Sequence, residues 1–264
     1  MKRVPDWLIY FVILVAMIWS ANRGREDVAP PISTPELGIM LPSESPRDNQ
    51  VIVNIEAPAS SVGTAFAISD TGRWMTARHV VDSCDDIGIK IGKRRILPVK
   101  AIVSKDADLA VLTSDWTRPP LPSDLNSQRQ IGEAGYFFGF PQGRPGEAVG
   151  KLLGRNRMVV RGRYRSNEAV LAWSEIGRTN GIFGSLGGLS GGPALDKDGE
   201  IIGVVTAESP RRGRIYTVAP THLRRHIETR RIEPEPLALN AYAAKADKLR
   251  RDRRVVQVVC LVRS

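Results

Sequence analysis

The chain is poor in the residues from which metal sites and disulfide frameworks are built: 264 residues contain two cysteines and three histidines. The cysteines, Cys84 and Cys260, allow at most one internal disulfide. No internal repeat of the solenoid kind is present. Acidic residues are outnumbered, 28 Asp and Glu against 38 Lys and Arg, for a net charge of +10. That balance is compatible with nucleic acid, an anionic membrane surface, or solubility alone. Glycine (24) and proline (18) are abundant, which favours strands joined by turns over long helices.

One apolar run stands out. "MKR" precedes "WLIYFVILVAMIWSAN" (7–22), sixteen residues without a charge. As a helix it spans roughly 24 Å, a little under the usual hydrocarbon core. A cleavable signal wants small residues at −3 and −1 of the cut. Near Ser20 and Ala21 the −3 position falls on Trp19 or Ile18, and no cysteine follows to carry a lipid. Trp7 and Trp19 bracket the run as interface aromatics do. Residues 1–24 therefore read as a single transmembrane anchor, in the lipid bilayer through 7–22, with a cleaved signal as the alternative. Lys2 and Arg3 suggest a cytoplasmic N-terminus, and Arg23 and Arg25 weaken that orientation. Residues 25–50 hold five prolines and no periodic apolar pattern, and read as a semi-rigid linker.

From Val51 the pattern is all-β. "VIVNIEA", "GTAFAIS", "RWMTARHVV", "IGIKIG", "ILPVKAIV" and "LAVLTS" precede a polar stretch, "PPLPSDLNSQRQIG" (119–132). "AGYFFGFP", "EAVGKLLGR", "RMVVRGRYR", "AVLAWSEI", "EIIGVVTAES" and "RIYTVAP" follow it. About six strands on each side predict two packed barrels or sandwiches joined near 118–130. "PTHLRRHIETRR" (220–231) has Leu223 and Ile227 at helical spacing. The folded domain is expected over 51–235, followed by a 236–264 tail with a helical start and a strand-like end.

Three stretches carry chemistry. In "SLGGLSGGPALDKDGEIIGVV" (185–205), Ser190 lies between Gly187-Gly188 and Gly191-Gly192. Such glycines reach unusual φ values and let backbone N–H groups converge on one point, which stabilising an oxyanion requires. "GLSGG" also fits the G-x-S-x-G elbow of α/β-hydrolases, but that elbow needs a helix next, and Gly191-Gly192-Pro193 opposes one. In "TARHVV" (76–81), His79 ends a strand. In "KDADLAVLTS" (105–114), Asp108 opens an apolar strand, where it either caps the strand or faces a partner. The order His, Asp, Ser is that of a serine hydroxyl attacking a carbonyl, a histidine taking its proton, and an aspartate fixing the histidine tautomer. Asp82, Asp85 and Asp86 read as a solvated turn; one of them is the alternative to Asp108.

Together these stretches resemble the chymotrypsin-like serine peptidases, especially the bacterial HtrA/Deg branch. "TARHVV", "DADLAVL" and "GLSGGP" are similar to the family's histidine, aspartate and serine motifs, and "GTAF" and "GFPQG" (139–143) also fit. The resemblance covers roughly 51–230. It implies two six-stranded antiparallel β-barrels of the trypsin fold with a C-terminal helix. It also implies His79 as general base, Asp108 as orienting carboxylate and Ser190 as nucleophile, with Gly188 and Ser190 N–H groups as the oxyanion hole. The specificity pocket falls on Gly184, Ser185, Thr206 and Glu208. Neither Gly184 nor Ser185 offers a charge, so a strong preference for Lys or Arg is not expected.

Leu189 stands where the family's digestive and clotting enzymes have an aspartate that pairs with a newly cut N-terminus, so activation by such a cut is not expected. Residues 231–264 are too short for the PDZ domain of HtrA members. The reading is an extracytoplasmic serine endopeptidase of polypeptides, anchored in a bacterial inner membrane with its domain on the periplasmic side. A catalytically idle, peptide-binding member of the same fold is the alternative. No cofactor, metal or nucleic acid is expected: His222 and His226 lack a third ligand, and the arginines of "GRNRMVVRGRYR" (154–165) suit solubility or anionic headgroups. Oligomeric state is not legible. Cys84 and Cys260 either pair, as cysteines of exported proteins tend to, or remain two buried thiols.

Overall fold

The apolar and β-branched runs of the sequence become strands. The structure, a computed structural model, describes residues 37–227, 232–237 and 239–263. The anchor expected at 7–22 and the start of the linker lie outside the described residues. Among the described residues no helix is long and apolar enough to cross a membrane. In chain order the strands are β1 (Gln50–Ile55), β2 (Ser61–Ala67), β3 (Arg73–Thr76), β4 (Asp86–Lys90), β5 (Ile96–Pro98), β6 (Lys100–Val103) and β7 (Ala110–Thr113). They continue with β8 (Ala134–Gly139), β9 (Gly146–Gly162), β10 (Ser166–Arg178), β11 (Pro193–Leu195), β12 (Ile201–Ser209), β13 (Arg214–Val218) and β14 (Val255–Leu261). Among the described residues α-helix is confined to α1 (Arg78–Val81), α2 (Pro220–Leu223) and α3 (Tyr242–Arg251).

The strands form two sheets. In one, β9-β10-β13-β12-β11-β8 closes on itself, because β8 also pairs with β9. This is the expected six-stranded antiparallel ring. β1 is added outside it and runs parallel to β9, from Gln50 opposite Arg157 to Ile55 opposite Gly162. The other sheet has the order β5-β4-β14-β2-β3-β7-β6. Here the expectation of six strands contiguous in sequence is corrected. β14, from the expected tail, enters between β4 and β2. Without it the edge of β2 would expose a row of unpaired N–H and C=O groups. β14 covers that edge and buries Val255, Val256 and Val258.

The stretch expected as a tail beyond 235 packs with the rest of the domain. Ala246, Leu249 and Val255 share one core with Phe66, Leu109, Tyr136 and Val149, and one compact unit runs from Thr34 to Ser264. At its other end, part of the predicted linker lies against the domain. The N–H groups of Gly38 and Leu41 donate to the carbonyls of Ile131 and Arg129, both at 2.7 Å, and Leu41 is buried. The helix predicted over 220–231 forms as the short α2, after which Ile227 is buried in the same core; residues 228–231 lie outside the described residues. Cys84 and Cys260 are bonded to each other, with Cα atoms 5.5 Å apart, tying β14 to the turn after α1.

Candidate active site

Strand pairing brings the first two candidate residues together. β3 and β7 run antiparallel with Thr76 opposite Ala110, so the end of one strand lies beside the start of the other. α1 follows β3 and carries His79; Asp108 precedes β7. His79 Nδ1 lies 2.7 Å from Asp108 Oδ2, and the His79 main-chain N–H donates to Asp108 Oδ1 at 2.8 Å. Asp108 is 1% exposed. Its Oδ1 also accepts from the Tyr164 hydroxyl at 2.7 Å, and Oδ2 accepts from the Thr206 hydroxyl. Burial alone would raise the Asp108 carboxyl. The charge of His79 and the hydrogen bonds from His79, Thr206 and Tyr164 outweigh it and hold the pKa at about 2. The carboxylate is thus charged and fixed at both oxygens, and can hold an imidazole in one tautomer.

Ser190 comes from the loop between β10 and β11 and is fixed by β2. Thr64 N–H donates to the Ser190 carbonyl at 2.9 Å, and Thr64 Oγ1 donates to the Gly188 carbonyl at 2.7 Å. Gly191, at φ +84°, lies so close to β2 and β3 that a Cβ would stand 2.2 Å from both Thr64 O and Thr76 Oγ1. This contact sets the serine loop against the corner that leads into His79. Within the loop, Leu189, Gly191 and Gly192 N–H groups donate to Leu186, Val205 and Leu189 carbonyls. Those of Gly188 and Ser190 have no acceptor among the described residues. Two free N–H groups flank the serine, as an oxyanion site requires. No hydrogen bond joins His79 to the Ser190 hydroxyl among the described residues, a looseness common in ligand-free sites.

The remaining sequence candidates divide. Ser185 and Glu208 meet: the Ser185 hydroxyl donates to Glu208 Oε1, and Leu186 N–H reaches Oε1 at 2.9 Å and Oε2 at 2.8 Å. Gly184, adjoining them, gives its carbonyl to Arg178 at 2.8 Å. Thr206, which the sequence groups with this pocket, is buried and gives its hydroxyl to Asp108. The register of β12 against β13 shifts between Val205 and Ala207, and this irregularity breaks the two-residue alternation that would put Thr206 on the face of Glu208. Leu189 is buried, 1% exposed. Asp82 pairs with Arg78 and Arg163, while Asp85 and Asp86 hold Arg263, so these three are engaged elsewhere. Sequence reasoning missed Thr64, Tyr164 and Glu168. The "GTAF" stretch marked the first as a strand residue; for the other two, only the fold of a long hairpin brings them to Asp108.

A two-sheet β fold with a buried aspartate on a histidine, and a serine in a glycine loop, defines the class of trypsin-fold, serine-type endopeptidases. The chain belongs to the family of the trypsin-like peptidase domain, whose family model matches residues 63–204, a stretch containing His79, Asp108 and Ser190. A protein of Hahella chejuensis named as a probable periplasmic serine endoprotease, DegP-like, is 29% identical over 59% of this chain and 31% of its own length. A protein of the same name from Pseudomonas savastanoi pv. phaseolicola is 28% identical over 73% of this chain and 39% of its own. The chain thus spans about a third of these relatives. The crystal structure of the Rv3671c protease from M. tuberculosis, active form, covers 70% of this chain and 91% of that one at 15% identity, with a TM-score of 0.50. That likeness speaks for the fold.

Proposed function

We propose that the chain is an extracytoplasmic serine endopeptidase acting on polypeptides through His79, Asp108 and Ser190. The observation that carries this reading is the buried Asp108 carboxylate on His79 Nδ1 at 2.7 Å, beside a serine loop with two unpaired N–H groups. His79 Nε2 takes the Ser190 proton as Oγ attacks the scissile carbonyl, and the oxyanion forms against the Gly188 and Ser190 N–H groups. His79 then returns the proton to the leaving amine, and water releases the acyl group by the same steps. The pocket at Gly184, Ser185 and Glu208 supports neutral side chains before the cut, because the Glu208 carboxylate is already taken by Leu186 N–H and Ser185. Residues 1–24 act as a membrane anchor and part of the linker leads from it to the domain, a reading supported by the uncharged run 7–22 and by relatives named as periplasmic.

The test is peptide-library cleavage and fluorophosphonate labelling of residues 37–264, with Ser190→Ala as control. Cleavage and labelling should both vanish in the variant with the thermal transition unchanged; loss of a triad member costs on the order of 10⁴–10⁶ in kcat. A folded wild-type protein that neither cleaves nor labels would make this an idle peptide-binding member of the fold. Cleavage by Ser190→Ala at the wild-type rate would overturn the mechanism.

A further inference from the structure

The hairpin β9–β10 is far longer than a six-stranded ring needs, 17 and 13 residues in its two strands. Its end, still paired in its own sheet, extends beyond the ring and reaches the residues that hold His79. At the turn, the Arg163 guanidinium donates to the His79 carbonyl at 2.7 Å, and its Nε lies 3.6 Å from Asp82. The next residue, Tyr164, is buried and donates to Asp108 Oδ1 at 2.7 Å. Arg78, one residue before His79, stacks its guanidinium over the Tyr164 ring at 3.9 Å. Glu168, 1% exposed, accepts the Asp108 main-chain N–H on Oε1 at 2.8 Å, and its Oε2 has no partner among the described residues. The hairpin end is itself braced from outside by β1, which pairs along residues 157–162. Arg163 N–H completes the brace on the Ile55 carbonyl at 3.2 Å.

A buried carboxyl with an unpartnered oxygen is costly, and a hairpin end that makes side-chain contacts to a neighbouring sheet is not required for closing its own ring. Resting on the peptidase reading, we propose that the end of the β9–β10 hairpin is a positioning device for Asp108. Tyr164 fixes one carboxylate oxygen and Glu168 fixes the main chain of the same residue. Asp108 would otherwise be held by its neighbours in the β7 sheet and by Thr206 alone. With the device in place, the carboxylate that orients His79 is clamped from the second sheet by the hairpin as well as by Thr206, so the relation of histidine to serine does not rest on Thr206 and the Thr64 and Gly191 contacts alone. Burial, and then the charge of Asp108, push the Glu168 carboxyl up. β1 extends the device: the strand that follows the linker steadies the hairpin end next to Arg163 and Tyr164.

Tyr164 and Glu168 are positioning residues, and their removal should be read in kcat. Tyr164→Phe keeps the ring under Arg78 and removes only the hydroxyl; Glu168→Leu removes the acceptor; Glu168→Gln keeps an acceptor without a titrating group. The expected result is a fall in kcat of about tenfold for Tyr164→Phe and for Glu168→Leu, with KM unchanged, from the loss of one hydrogen bond to a charged or catalytically placed group. Glu168→Gln should restore most of what Glu168→Leu loses. The Nδ1 proton resonance of His79 should shift in Tyr164→Phe, which a merely structural role would not produce. Wild-type kcat and an unmoved resonance in folded Tyr164→Phe, or equal losses for Glu168→Gln and Glu168→Leu, would overturn the proposal. Because every variant is compared with a wild type whose labelling requires Ser190, a wild type without Ser190-dependent activity is a failure of the peptidase reading, distinct from this one. Should Glu168→Leu fail to fold, Tyr164→Phe decides.

Discussion

Asp108 and Glu168 are neighbours whose protonation is driven in opposite directions. Asp108 titrates below its ordinary value, at about 2, so its contribution to stability is present above the unfolded pKa and is lost as pH falls through the folded one. Glu168 titrates above its ordinary value, raised first by burial and then by Asp108. Over that range the folded protein keeps a proton that the unfolded chain has lost, so stability declines as pH rises from the unfolded pKa toward the folded one. Glu168→Gln removes that titration. The stability of the variant relative to wild type should therefore rise steadily from about pH 4 upward, by up to about 1.4 kcal/mol for each pH unit by which the folded pKa exceeds the unfolded one. Melting curves between pH 4 and pH 8 check it. A constant difference in Tm between the two proteins would show that Glu168 titrates normally in the fold.

At the level of elements, β2 and the serine loop form one joint. Thr64 holds the loop through its N–H and its hydroxyl, and Gly191 fills the space against Thr64 and Thr76 at a φ that glycine alone adopts without strain. Gly191→Ala puts a Cβ 2.2 Å from a main-chain oxygen at φ +84°. It should destabilise by more than about 1–3 kcal/mol and, in whatever folds, lower kcat by moving Ser190. Calorimetry with active-site titration separates the two effects, and a Gly191→Ala variant with wild-type Tm and kcat would show that the joint is slack. The motifs around His79, Asp108 and Ser190 were legible in sequence because each is a local run with a fixed residue order. The alternating apolar runs made the strands legible for the same reason. The hydrogen bond of Thr206 to Asp108 was not legible because a register shift in β12 is set by pairing with β13, which no local pattern reveals. Tyr164 and Glu168 were silent because a tyrosine and a glutamate in a hairpin look like surface residues until the hairpin's length and direction are known.

At the level of the whole molecule, the least legible feature is the return of residues 242–261. Their apolar run could be read as a strand, but not where it pairs, because its partners β2 and β4 lie well over a hundred residues earlier. The return binds both sheets. β14 completes the sheet that carries His79 and Asp108. The buried Arg250 side chain of α3 donates to the Gly146 carbonyl at 2.9 Å and pairs with Glu147 at 2.7 Å in the other. The disulfide adds a covalent closure, at a sequence separation of 176 residues. Loop-closure entropy assigns a crosslink of that span about 4–5 kcal/mol, with strain and residual unfolded structure able to reduce it. Three comparisons separate pairing from crosslinking. A chain stopped at 235 should fail to give a cooperative thermal transition, since it lacks a central strand. Cys84→Ala with Cys260→Ala keeps the strand and should fold with a lowered Tm. Dithiothreitol should bring the wild type down toward that value and leave the double variant where it is. If the reductant leaves the wild-type Tm unchanged while alkylation proves both thiols free, β14 is held by its pairing and apolar burial, and the disulfide contributes nothing measurable to the fold.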